Sequence, residues 1–97
     1  MTAKLAPGVE LIDIANALRV INLANGGELE VNSSLTKVFR HFKSGTKLDA
    51  AFGLQGVWNE EIFARFITFL YRNDYILMLD FAHNKQPTFR EREVNYA

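Results

Sequence analysis

The sequence predicts an α+β fold: a small winged-helix-like domain in which an N-terminal three-stranded antiparallel sheet is followed by three helices. Two observations support this class. Between residues 9 and 31, short apolar runs rich in β-branched residues alternate with turn residues, which is typical of a β-meander. From residue 32 onward, the apolar residues recur with a helical period of about 3.6 instead of about two.

Three strands are predicted in the first third of the chain. Val9–Ile14 and residues 18–23 are runs of similar length, with a turn at residues 15–17 between them. Asn25-Gly26 then gives a strong hairpin signal, because both residues tolerate positive φ. Residues 28–31 alternate polar with apolar side chains, so one face is expected to be solvated and the other buried. A helix over residues 9–24 is the alternative, and the closely spaced turn signals favour strands.

Two helices are predicted next. The first is capped by Asn32 or Ser33 and ends at Ser44-Gly45. Its inward face consists of Leu35, Val38, Phe39 and Phe42. Thr46 is expected to cap a shorter second helix. The inward residues of that helix are Leu48, Ala51 and Phe52.

Residues 59–73 form the most strongly patterned helix. Asn59 is a good N-cap, since its side-chain oxygen can accept a hydrogen bond from the amides of the first turn. Glu60 and Glu61 place negative charge at the positive end of the helix dipole. Trp58 and Phe63 have the spacing of a hydrophobic staple.

This third helix has an apolar face wider than a surface helix of a small domain needs. At about 100° per residue, its large apolar side chains span an arc of roughly 160°. In order across the arc they are Phe69, Ile62, Phe66, Leu70, Phe63 and Ile67. Either the whole face lies in the core, or one edge of it lines a groove for an apolar ligand. Because the edge with Phe69 and Ile62 borders Arg65 and Arg72, we expect that edge to lie nearer to solvent.

A last strand is predicted over residues 75–79. The ends of the chain are expected to lie outside the fold, with residues 1–6 as a loose terminus ended by Pro7-Gly8 and residues 85–97 as a mobile tail. No repeat or composition shift divides the 97 residues, so a single domain with a core over residues 8–79 is predicted.

Composition limits the function. Eleven basic and eleven acidic side chains cancel, whereas nucleic-acid and membrane-surface proteins usually show a basic excess. There is no cysteine for a disulfide or a thiolate metal site, and no apolar run approaches the roughly 18 residues of a membrane span. We therefore expect a cytoplasmic protein that binds neither nucleic acid nor a membrane.

No residues have the spacing of a catalytic or metal site. His41 and His83 are the only histidines and belong to no zinc motif. Ser33-Ser34 lacks a nucleophile elbow and is explained by helix capping. The glycine-containing turns do not match a phosphate loop. The prediction is a protein that is not an enzyme and that holds no metal or cofactor.

The order of these features resembles the PqqD-like family. The resemblance is carried by Val31-Asn-Ser-Ser-Leu35, the hydrophobic pairs of the first helix, Ser44-Gly45, and the long helix running into Tyr75-Ile-Leu77. It covers residues 8–79 and contains no catalytic signature. Two positions depart from the family pattern: Ser33 replaces the usual proline, and Asn73-Asp74-Tyr75 replaces the usual glycine before the last apolar pair.

The resemblance implies a recognition element for ribosomally made, post-translationally modified peptides. Such a domain holds the leader of a precursor peptide and presents the precursor to a modifying enzyme. The leader would add as a strand to the third predicted strand, beside the third helix. The implied peptide-binding residues are Glu28, Leu29, Glu30 and Val31 on the strand, and Ile62, Arg65, Phe66, Phe69 and Arg72 on the helix. A homodimer through the same strand edge is a further option.

Two other functions stay open. A DNA-binding winged helix would need a basic recognition helix, but the long helix offers only Arg65 and Arg72 against Glu60 and Glu61. The first helix is more basic, yet it precedes the predicted helix-turn-helix. The second alternative is a non-catalytic structural subunit of a larger enzyme.

Overall fold

The computed structural model describes residues 1–81, which form a small α+β domain with two three-stranded antiparallel sheets and three helices. The strands are β1 (Thr2–Leu5), β2 (Val9–Ile14), β3 (Ala17–Asn22), β4 (Gly27–Asn32), β5 (Thr46–Lys47) and β6 (Ile76–Met78). The helices are α1 (Thr36–Ser44), α2 (Leu48–Gly53) and α3 (Glu60–Arg72). The α+β class is as predicted. The tail predicted for residues 85–97 and His83 lie outside the described residues.

The predicted meander is present as the sheet β2-β3-β4, with β3 in the middle. Its turns form where the sequence indicates them. Asn16 and Gly26 have positive φ, at 62° and 79°, and Asn and Gly are the residues that adopt this conformation most readily. The Asn25 side chain accepts a hydrogen bond from the Gly27 N–H at 2.7 Å and closes the second turn. The helix considered for residues 9–24 is therefore excluded.

The N-terminal residues are not a loose terminus, so this prediction is wrong. β1 is the central strand of the second sheet, whose order is β5-β1-β6. Ala3 is fully buried and pairs with Thr46 on one side and Met78 on the other. Because β1 precedes the meander, the meander is not the first sheet element of the chain, and the core includes residues before residue 8. A four-residue strand has little periodicity of its own, and long-range pairing forms it.

Caps explain where α3 begins and where α1 ends. The Asn59 side chain accepts a hydrogen bond from the first turn of α3, as predicted. Asn32 caps a single 3₁₀ turn, Ser33–Leu35, that leads into α1. Gly45 ends α1 with φ 99° and ψ 134°, a positive-φ conformation that glycine adopts readily, although it is not the αL geometry of the common cap.

The start of α2 differs from the prediction. Thr46 is not its cap, because the residue belongs to β5 and pairs with β1. Lys47 occupies the cap position and makes no side-chain hydrogen bond to the helix. Pairing with β1 therefore places Thr46 in a strand, although the local sequence predicts that it caps α2.

The core joins both sheets to α1 and α3. Its largest fully buried side chains come from β3, α1, α3 and β6 and from the turn before α1, and include Phe39, Phe42, Leu18, Leu35, Leu70 and Ile76. The rings of Phe39 and Phe42 meet edge to face at 5.9 Å, a favourable geometry for aromatic pairs. Among residues 1–81, no helix is long and apolar enough to cross a membrane.

Candidate functional site

Four aromatic side chains, Trp58, Phe66, Phe69 and Tyr75, form a continuous row along one side of α3. Ring centroids are 4.9 Å apart for Trp58 and Phe66, 6.5 Å for Phe66 and Phe69, and 6.3 Å for Phe69 and Tyr75. Phe66 also meets the buried ring of Phe39 at 6.2 Å. We call these four residues the aromatic row, and the contact with Phe39 shows that it rests on the core.

The middle of the aromatic row is open to solvent. Phe69 is 44% exposed and neighbouring Ile62 is 43% exposed, whereas Phe63, Ile67 and Leu70 of the same helix are at most 4% exposed. This is the orientation that the helical wheel predicts, with the arginine-bordered edge outward and the other edge in the core. Exposed apolar side chains beside partly buried rings form a surface that a ligand can cover.

One end of the aromatic row contacts the first residue of β4, an edge strand. Within residues 1–81, β4 pairs with β3 alone, so the N–H and C=O groups along its other side have no strand partner there. Tyr75 lies against Gly27, the first residue of β4: a Cβ on Gly27 would be 3.0 Å from the Tyr75 hydroxyl oxygen. Gly27 lies on the same face of β4 as Leu29 and Val31, so Tyr75 packs against the core-side face of this edge strand at its first residue.

The two faces of β4 differ as the alternation predicts. Val31 is buried and Leu29 half-buried, and both pack with the core. Glu28 and Glu30 are exposed on the other face. A peptide added to this edge would thus also have one face toward the core side and one toward water.

Charged side chains surround the site, and the ion pairs among them are exposed and therefore weak. Arg65 lies 2.8 Å from Glu61 one turn earlier, and both side chains are about three-quarters exposed. Glu30 pairs with Arg19 of β3 at 3.6 Å. Arg72 is exposed near the end of α3. Exposed pairs of this kind contribute about 0–1 kcal/mol, so an incoming carboxylate can replace Glu61 at little cost.

Tyr75 is the titratable group that the site perturbs. Burial of the phenol raises the pKa of Tyr75, and the negative charge of Glu28 raises it further. Both effects disfavour the phenolate. Tyr75 is therefore neutral at physiological pH and offers a hydroxyl beside the beginning of β4.

Sequence reasoning placed Phe66 and Phe69 at this site and missed Trp58 and Tyr75. The staple spacing predicts that Trp58 packs against Phe63. In the structure the ring of Trp58 contacts Phe66, and the ring of Phe63 contacts Phe52 at 5.5 Å. The sequence pattern identifies Tyr75 only as the start of the last strand. Both residues lie outside α3: the staple spacing links Trp58 to the helix but does not identify Phe66 as its ring partner, and no local spacing links Tyr75 to Phe69.

No family model, curated protein or solved structure that we compared matches this chain. The resemblance to the PqqD-like family therefore stays a prediction. Among residues 1–81, no three His, Cys, Asp or Glu side chains are grouped as a metal site would require.

Proposed function

We propose that this protein binds the leader segment of a ribosomally made precursor peptide and presents the precursor to a modifying enzyme. The observation that carries the proposal is that β4 is an edge strand whose first residue packs against Tyr75, the last member of the aromatic row. An extended peptide gains main-chain hydrogen bonds at such an edge, and apolar surface beside it selects alternate side chains. The resemblance to the PqqD-like family implies the same two elements.

Apolar leader side chains would contribute to the affinity by covering Phe69 and Ile62. Full burial of a large apolar side chain contributes about 1.5–3 kcal/mol. Since somewhat less than half of each side chain is exposed, covering both contributes roughly 1 kcal/mol apiece. Main-chain bonds to β4 would then fix the direction and register of the peptide.

Arg65 and Arg72 would select leaders with acidic residues. Each exposed ion pair contributes about 0.2–1 kcal/mol, and Arg65 must first give up Glu61. The arginines therefore influence which leader binds and in which register, and they contribute less to the binding free energy than the contacts with Phe69 and Ile62.

We also infer that the segment from β2 to α3 has the winged-helix-like arrangement of that family. Both departures from the family pattern fit this inference. Asp74, in the stretch that replaces the usual glycine, has φ 64°, a conformation that glycine, Asn and Asp adopt more readily than other residues. Ser33 is the first residue after the Asn32 cap, a position that proline favours because its missing N–H is not needed there.

The proposal assigns the protein no catalytic step and no cofactor. It places the protein in the cytoplasm, where a precursor peptide and its modifying enzyme are synthesised. The task of the domain is to raise the local concentration of the precursor at the enzyme.

Calorimetry with the precursor peptide encoded beside this gene tests the proposal. We expect micromolar or tighter binding, about −8 kcal/mol or better. Hydrogen exchange should show new protection at alternate amides of β4, because alternate residues of an edge strand direct their N–H groups outward. The other edge strand, β2, is the internal control and should not change.

Three results would contradict the proposal: no heat at any salt concentration, protection on β2 instead of β4, or protection on neither. Binding to duplex DNA that weakens steeply with salt would support the DNA-binding alternative instead. A homodimer through β4 would occupy the same edge. Light scattering with and without peptide detects it, because the leader should then convert dimer to monomer.

A further inference from the structure

A cavity of about 460 Å³ lies on the other side of α3, between that helix, α2 and β6. Its wall is mostly apolar and includes Leu48, Phe52, Phe63, Ile67 and Met78. The volume lies within the range of about 300–1,000 Å³ that is typical of small-molecule sites. Neither the aromatic row nor β4 contributes to it.

The cavity and the aromatic row use different sides of one helix. Ala64 lines the cavity and Phe69 belongs to the row. At about 100° per residue, these two positions are about 140° apart around the helix axis. Glu60, at the cavity, and Ile62, beside the row, are about 160° apart by the same rule. Of the buried residues of α3, Phe63, Ile67 and Tyr71 line the cavity, and Leu70 lies between the cavity and the row. Both surfaces can therefore be occupied at once.

The charge at the cavity is negative. Asp49, in the first turn of α2, and Glu60, in the first turn of α3, are exposed and line the cavity. No lining residue among residues 1–81 has a basic side chain. The amino group of Met1, which also lines the cavity, lies 3.6 Å from the Asp80 carboxylate. An anionic ligand would be repelled here, and a cationic group would be attracted.

We propose that this cavity binds a small organic cation, with an apolar ring or chain inside the cavity and an amine or guanidine group beside Asp49 and Glu60. The apolar wall accounts for the body of the ligand and the two carboxylates for its charge. Small-molecule sites commonly combine an apolar lining with a few polar groups that orient the ligand. This site is independent of the proposed leader-binding function.

Three matched probes test the proposal on the full chain: 1-naphthylmethylammonium, 1-naphthylmethanol and 1-naphthoate. They share one ring system and differ in charge. We expect saturable NMR shifts at the amides of Ala64 and Thr68, which line the cavity, and smaller shifts at Ile62 and Phe69. The cation should bind about two- to fivefold more tightly than the alcohol for each exposed carboxylate that it meets, and naphthoate should bind most weakly.

Variants test the role of the two carboxylates separately from the role of the apolar cavity. Replacing both carboxylates, Asp49→Asn with Glu60→Gln, should remove the preference for the cation and leave the affinity for the alcohol unchanged. Ala64→Phe should abolish saturable binding of all three probes by filling the cavity, and because Ala64 is exposed the fold should be retained. Phe69→Ala is the matched control on the aromatic row: it should leave probe binding unchanged while it weakens leader binding.

The proposal is overturned if no probe gives saturable shifts at Ala64 and Thr68, or if naphthoate binds as tightly as the cation. Shifts that persist in Ala64→Phe overturn it too. Shifts of the same amides that follow protein concentration without any probe would assign the surface to a second copy of the chain and overturn it. Since the leader and the probes are measured separately, failure of one proposal leaves the other standing.

Discussion

The ring of Tyr75 lies directly against Gly27, so that a methyl group on Gly27 would come 3.0 Å from the phenol oxygen and 3.6 Å from Cζ. This contact joins the first residue of β4 to the last member of the aromatic row. A side chain at position 27 fits only if Tyr75 and the Asn25 side chain shift, since the same methyl group would also come 3.0 Å from Asn25 Oδ1. The contact therefore links the edge strand β4 to the aromatic row.

Gly27→Ala should displace Tyr75 and weaken leader binding. We expect a loss of roughly 0.5–1.5 kcal/mol in binding free energy, because the leader must then hold the displaced Tyr75 ring away from its new preferred rotamer. Calorimetry measures this loss. Gly53→Ala is the control, because a methyl group there meets no atom within 4 Å. Unchanged leader affinity in Gly27→Ala would show that the contact does not matter for binding.

The titration of Tyr75 should occur above its ordinary pKa of 10.0, chiefly through burial and additionally through Glu28. The folded state then binds the phenol proton more tightly than the unfolded state. The free energy of unfolding is thus unaffected by this group below the unfolded pKa and decreases as pH rises past it toward the folded pKa. Glu28→Gln should lower the pKa of Tyr75, and Glu30→Gln should not. Carbon NMR of the Tyr75 ring measures this pKa in the wild-type protein and in both variants. A wild-type pKa at or below 10.0 would refute the expected direction.

Substitutions on α3 should separate ligand contact from folding. Phe69→Ala removes an exposed ring and should weaken leader binding with little loss of stability. Phe63→Ala and Leu70→Ala should each lower the free energy of unfolding by roughly 2–5 kcal/mol, because both side chains are buried. Thermal melting and peptide affinity are measured on all three variants. If Phe69→Ala unfolds the protein while Phe63→Ala loses only the peptide, the assignment of the two faces is wrong.

Gly45→Val should destabilise the fold by about 1–3 kcal/mol, the range for a side chain held in an unfavourable backbone conformation. The cause is the positive φ of 99° and not crowding, since a Cβ would meet Ala3 O at 3.8 Å and Leu79 Cδ1 at 3.9 Å. Ser44→Val, one residue earlier in the helix, is the control for β-branching alone. Equal melting temperatures of the two variants would contradict the assigned strain.

Ala3→Leu tests the role of β1. Ala3 is fully buried between two strands, so the larger side chain should lower the free energy of unfolding by about 1–3 kcal/mol through overpacking. Lys4→Leu puts the same side chain on the exposed face of the same strand and should cost less. Denaturant unfolding of both variants provides the comparison. If the two unfold alike, β1 does not pack as described.

The sequence by itself determined the features that depend on neighbouring residues. Asn16 and Gly26 mark the turns of the meander because turn conformation depends on a few consecutive residues. Asn59 begins α3 because a cap needs only its own side chain and the next amides. The outward position of Phe69 also follows from local order, since a helix turns by about 100° per residue and the arginines mark its wet side.

Only the tertiary structure decided which distant segments meet. β1 and β5 are short strands with no strong pattern of their own, and their partners lie far away in the chain. The strand predicted over residues 75–79 is present as β6, but its pairing with β1 does not follow from local sequence. Tyr75 and Trp58 complete the aromatic row from beyond the ends of α3. Likewise Tyr71, beyond the predicted apolar arc, is 4% exposed. Helical periodicity orders the side chains around an axis, but the docking of other elements determines which of them are covered.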